Sequence, residues 1–165
     1  NSPRREWIQM KKHLKKFIVI GVITGVLLLM TLFDYLRAQT VNIEVVSVTP
    51  ETVVADPNKP VTITLRVTKR GQPAAGDDIS ALVTGPGNLS GDKVRVQEDG
   101  TVSFTYYPYT YLEGVFEEET TEIKFRDISD SIFIAIQKRE TVTLEVKKPT
   151  EQSGGMNMND IFGED

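Results

Sequence analysis

Cysteine is absent and histidine occurs once, at position 13. Without cysteine the chain has no disulfide, no thiolate nucleophile, no thiolate metal ligand and no lipidated cysteine anchor of its own. His13 lies in a basic arm ahead of the main apolar run, so a Ser-His-Asp arrangement or a histidine-based metal site is excluded from the rest of the chain. No glycine-rich phosphate loop follows a strand and opens a helix, which removes the usual nucleotide cradle. The chain is therefore read as non-enzymatic, with no cofactor and no metal. Long apolar runs are equally scarce: there is one, and no extended helical period occurs outside it.

That run, Phe17 to Phe33, contains neither charge nor proline. As an α-helix it spans about 26 Å at roughly 1.5 Å per residue. Leu14, Tyr35 and Leu36 can extend it toward the roughly 30 Å of a hydrocarbon core, and in lipid a lone span must be helical to satisfy its own backbone. The expectation is a transmembrane helix over 17–36. Arg4, Arg5, Lys11, Lys12, Lys15 and Lys16 precede it against Glu6 alone. The positive-inside bias then puts a basic arm, 1–16, in the cytoplasm and the C-terminal part outside. Residues 1–40 carry 7 Lys+Arg and 2 Asp+Glu, net +5, whereas residues 41–165 carry 12 and 21, net −9. The arm suits anionic membrane lipid, and a nucleic-acid partner is not expected. From Met10 the sequence also has the form of a secretory signal ending near Leu36-Arg37-Ala38. The run is longer than the usual ~7–15 residues of such a segment and Leu36 is large, so the expectation is an uncleaved signal anchor. Trp7, Phe33 and Tyr35 are candidate interfacial anchors. Gly21 and Gly25, with Thr24 between them, form a GxxxG stripe on which another helix can pack closely.

From Val41 to Lys147 the texture changes to short alternating runs rich in Thr and Val. Val61, Ile63, Leu65 and Val67 alternate with polar residues, and so do Val102, Phe104 and Tyr106; this is the period of half-buried strands. Further strands are expected over Asn42–Val48, Ile79–Thr84, Lys93–Gln97, Glu122–Arg126, Ser131–Ile136 and Thr141–Lys147, the one with Ile132, Ile134 and Ile136 being either buried on both faces or seated in an interface. Turn signals separate them, with Asp99-Gly100 marking a hairpin. About eight short strands at this spacing suggest an exported β-sandwich over 41–147.

The Thr-rich run Val61–Thr68, the turn at Gly71-Gln72-Pro73, the Ala75-Gly76 corner and the run Ile79–Thr84 form an ordered set. Gly87-Asn88-Leu89-Ser90 and Asp99-Gly100-Thr101-Val102-Ser103-Phe104 complete it. This stretch, to Pro108, resembles bacterial immunoglobulin-like domains of the invasin and intimin kind. The resemblance implies an all-β immunoglobulin-like sandwich, here preceded by one N-terminal transmembrane α-helix, and for function a surface adhesion or receptor module. Beyond Pro108 the chain departs from that pattern, and the segment from Tyr109 to Ser131 reads as an insertion or a longer hairpin.

Carboxylates cluster at Asp77-Asp78, at Asp92 with Glu98 and Asp99, at Glu117–Glu119 and at Asp127 with Asp130, but none has the spacing of a calcium loop. Tyr107, Tyr109, Tyr111 and Phe116 crowd around Pro108, and such aromatics are favoured at protein interfaces. After Pro149 a flexible acidic tail, 148–165, is expected, with Ile161 and Phe162 as candidates for docking into a partner's groove. Three functions compete. One is a non-catalytic accessory or structural subunit of a membrane complex, held through the helix and the sandwich. The others are a surface adhesion or receptor module and a periplasmic assembly factor for a membrane enzyme. A single short domain, a packable span and two adhesive segments favour the first. The expected location is the bacterial inner or cell membrane, with the C-terminal domain periplasmic or extracellular.

Overall fold

A computed structural model of the chain describes residues 3–129, 132 and 136–150, with helix side chains described from residue 13. One helix, α1 (Pro3–Thr40), passes directly into ten strands: β1 (Val41–Thr49), β2 (Val53–Val54), β3 (Val61–Lys69), β4 (Gln72–Pro73), β5 (Asp78–Thr84), β6 (Asn88–Leu89), β7 (Lys93–Arg95), β8 (Thr101–Tyr107), β9 (Glu119–Asp127) and β10 (Arg139–Lys147). The first sheet has the order β1-β3-β8-β6, with β4 beside the end of β3; the second has the order β2-β10-β9-β5-β7. All pairs are antiparallel except β2 with β10, which is parallel. A chain that alternates in this way between two facing antiparallel sheets is an immunoglobulin-like sandwich.

The alternation in sequence is the alternation in burial. Val61, Ile63, Leu65 and Val67 of β3 and Val102, Phe104 and Tyr106 of β8 all point inward. Ile123 and Phe125 of β9, Ile79 and Ala81 of β5, and Val142, Leu144 and Val146 of β10 meet them from the other sheet. Phe104 and Phe125 cross the midplane, with ring centroids 5.1 Å apart. Each such large apolar side chain contributes roughly 1.5–3 kcal/mol on burial, which supplies a core without disulfides.

Two expectations are corrected. Asp99-Gly100 does not join a hairpin, because β7 pairs with β5 and β8 pairs with β3, in different sheets. The Asp-Gly turn is the corner at which the chain changes sheets. It is fastened by Gly100 donating to Gln97 O (3.0 Å) and Val67 donating to Gly100 O (2.8 Å). Gly100 has φ +83°, and a Cβ there would approach Val67 O to 3.0 Å, so glycine is required. The strand expected over Ser131–Ile136 is also absent where the chain is described: Ile132 is a bend and Ile136 lies in a 3-10 turn. The intervening residues lie outside the described ones. Ile132 instead serves the end of α1.

The expected insertion after Pro108 is the crossing from β8 to β9, and β9 is the central strand between β10 and β5. Only a small local hairpin, closed by a Leu112–Phe116 bridge, protrudes from that crossing.

Candidate functional site

The two ends of the sandwich differ in kind. Val41 pairs with Lys69 and Thr49 with Thr62, so the end carrying Lys69 adjoins α1 and the end carrying Val61 lies roughly 27 Å away at ~3.3 Å per residue.

At the helix-proximal end the helix is bolted to the sandwich. Thr40 O, a carbonyl left open at the helix end, accepts from Arg70 N at 2.8 Å. Asp34 is only 2 % exposed although it closes an apolar run. Its carboxylate accepts from Ile132 N at 2.9 and 3.0 Å. One turn on, Arg37 Nη2 stands 3.9 Å from Asp127 Oδ2 and 4.0 Å from Asp77 Oδ2, and Lys69 Nζ is also 4.0 Å from Asp77. A cation in the last helical turn also suits the helix dipole. Burial pushes the Asp127 carboxyl above the usual carboxylate range. The Ser129 N–H on its Oδ1 (2.9 Å) works against burial, Asp77 adds to the rise, and Arg37 and Lys69 oppose it. Asp77 Oδ2 and Asp127 Oδ2 are buried without a hydrogen bond, and the Arg37 guanidinium stands within 4.0 Å of both. Asp77 and Asp127 belong to separate clusters along the chain, and the approach of β5 and β9 unites them around Arg37.

The other acidic clusters have local roles. Asp78 binds Lys93 at 3.0 Å and Arg95 at 3.1 Å, and the Arg95 and Lys93 hydrogen bonds hold its carboxyl below the ordinary range. Asp99 accepts from Thr101 N and Oγ1. Among the described residues, no three His, Asp or Glu side chains converge to hold a metal ion.

At the helix-distal end the four aromatic candidates separate. Tyr107 faces outward from β8 and is 40 % exposed, whereas Tyr106 beside it is fully buried and donates to Pro86 O (2.8 Å) and Thr121 Oγ1 (3.2 Å). Tyr109 and Tyr111 pack half-buried against the core. Tyr109 Oη donates to Glu117 O and accepts from Glu119 N, and burial pushes its phenol above the usual value. Tyr111 N donates to Ala55 O, while Lys148 Nζ lies 5.2 Å from the Tyr111 ring centroid. These two tyrosines hold the loop in place and stay partly exposed. Phe116, 6.2 Å from the Tyr109 ring, joins Leu112 and Val115 on the tip of the small hairpin, with exposures of 44, 50 and 67 %. Gly114 N binds Glu117 Oε1 at 2.9 Å and rigidifies the turn. Leu112 and Val115 fall between Tyr107 and Phe116, inside the segment expected to make the protein contact.

On α1, Gly21 and Thr24 are exposed and Gly25 is half-buried, and a Cβ at either glycine would meet nothing within 4 Å. The stripe is open within this chain. Apolar side chains from Leu14 to Leu36 are likewise exposed, and α1 is long and apolar enough to cross a membrane. Ile161 and Phe162 lie outside the described residues.

No protein-family model and no curated relative matches the chain. Solved structures do. The D0-D1 domain of intimin is 19% identical, with a TM-score of 0.44, over 62% of this chain and 46% of that one. The C-terminal fragment of intimin in complex with the intimin-binding domain of the translocated intimin receptor is 18% identical, TM-score 0.47, over 62% and 33%. A conjugative transposon lipoprotein from Bacteroides eggerthii is 15% identical, TM-score 0.41, over 64% and 96%. The chain thus spans less than half the length of these intimin fragments. Intimin's immunoglobulin-like domains are among the folds it is similar to, as the residues from Val61 to Pro108 imply.

Proposed function

We propose that the chain is a non-catalytic accessory subunit of a larger membrane-protein complex in a bacterial envelope. In this reading residues 17–36 cross the membrane with the basic arm in the cytoplasm. The immunoglobulin-like domain stands outside and braces partner subunits. The observation that carries it is the pairing of a bolted helix–domain junction with an exposed apolar tip at the opposite end. Asp34, Arg37 and Thr40 are all tied to the sandwich, so the domain cannot swing freely on its anchor. A rigid domain of this length holds Leu112, Val115 and Phe116 at a set height above the lipid, roughly 27 Å beyond the helix end. Glu113 and Glu117 to Glu119 surround the tip, which suits a partner with an apolar pocket rimmed by lysine or arginine. The Gly21–Gly25 stripe would seat a neighbouring helix.

The test uses Leu112→Ser, Val115→Ser and Phe116→Ser together, leaving the structural Tyr109 and Tyr111 intact. Native protein is extracted in gentle detergent, separated by size and identified by mass spectrometry. Wild-type protein should travel with a defined set of membrane proteins and the variant should lose some of them while keeping its melting temperature. Unchanged co-migration of the variant would remove the tip from the contact. Migration of the wild type alone would favour an adhesion module or a transient assembly factor.

A further inference from the structure

Where α1 meets the sandwich, Phe33, Leu36, Arg37, Thr40, Lys69 and Arg70 line a groove of about 540 Å³. Its wall is divided by chemistry. Phe33 and Leu36 are exposed apolar side chains that continue the surface of the membrane-length helix. Lys69 is one-third exposed, and Arg70 projects from the β3–β4 turn in the left-handed conformation, φ +53°. The Arg70–Thr40 backbone hydrogen bond keeps that turn against the helix end. Along the helix Thr40 stands about 10 Å above Phe33 at ~1.5 Å per residue. The headgroup layer of a bilayer is of similar depth, roughly 5–8 Å on each side. The basic turn sits there in a domain whose net charge is otherwise strongly negative.

We infer that this groove binds an anionic phospholipid of the outer leaflet, with its phosphate against Lys69 and Arg70 and an acyl chain along Phe33 and Leu36. The inference rests on residues 17–36 crossing the membrane. Charge complementarity selects the headgroup, and continuity with the lipid-exposed helix selects a lipid. Such a lipid would fill the angle between anchor and domain.

The full chain is reconstituted in phosphatidylcholine nanodiscs carrying a photoactivatable phosphatidylglycerol or the matching phosphatidylcholine probe. Labelled peptides are then mapped. Phosphatidylglycerol should label peptides covering 33–40 and 69–73 more than phosphatidylcholine does. Lys69→Gln and Arg70→Asn should each lower that label about fivefold, as expected for removing one cation at a membrane surface, with label on residues 1–16 unchanged. Asn tolerates the left-handed backbone, so a normal melting temperature for Arg70→Asn with reduced label supports the groove even if Lys69→Gln loosens the Asp77 contact. Equal labelling by the two probes at 33–40 and 69–73, or no response to Arg70→Asn, overturns it. Absence of label along 17–32 with either probe would instead overturn the membrane span.

Discussion

Replacing Arg37 with methionine keeps the length and apolar stem of the side chain and removes the cation between Asp77 and Asp127. Breaking a buried pair on one side costs about 3–5 kcal/mol when the remaining charge is uncompensated. Here Lys69 stays 4.0 Å from Asp77, and Ser129 N still donates to Asp127 at 2.9 Å. The loss at pH 7 should therefore be smaller, about 2 kcal/mol, or a melting temperature roughly 10 °C lower for a domain of this size. The effect should depend on pH with a definite sign. Asp127 titrates higher in the folded protein than its ordinary value of 3.8, so the folded state takes up its proton first. Its favourable contribution is fully present below the unfolded value and is lost as pH rises through the folded one. Without Arg37 the folded value rises further and the penalty at pH 7 grows. As the pH falls through the raised folded value Asp127 becomes neutral, and the part of the Arg37 effect that acts through it fades. Thermal melts of the full chain in detergent, followed by the far-ultraviolet β-sheet signal at pH 7 and near pH 4, read this directly. A drop of about 2 °C or less at pH 7, or an equal drop at both pH values, would refute the compensation argument.

Two further substitutions test other parts. Gly87 has φ +98°, and a Cβ there would run into the ring of buried Tyr106. Gly87→Ala should destabilise the sandwich by about 3 kcal/mol through strain and overpacking, and a denaturant midpoint equal to that of wild type would mean the β5–β6 turn can move aside. Gly21→Ile with Gly25→Ile should weaken helix association in bilayers, measured as energy transfer between donor- and acceptor-labelled chains; undiminished transfer would exclude the stripe as a packing face.

Much of the domain was legible because it depends on short-range patterning. The alternation in Val61–Val67 and Val102–Tyr106 became inward-facing strands because successive side chains in a strand point to opposite faces. An isoleucine-rich run does not by itself specify a strand, and Ile132 and Ile136 lie in a bend and a 3-10 turn. Asp99-Gly100 named its turn correctly but could not say whether the flanking strands pair, since pairing is decided by partners far along the chain. The aromatic set divided for a similar reason. Tyr109 and Tyr111 acquire their partners, Glu117, Glu119 and Ala55, only when β8 crosses to β9.

The long apolar helix, the charge asymmetry around it, the lack of cysteine and histidine in the sandwich and the strand period that makes a two-layer core can all be read along the chain. These follow from composition and local spacing, which survive in any fold of the chain. Tertiary structure alone decided that Asp34 and Arg37 lock the helix to the domain, that Asp77 and Asp127 share one cation, and that Leu112, Val115 and Phe116 stand at the far end. Those are relations between residues tens of positions apart, set by which strands meet and by which carboxylates burial forces together.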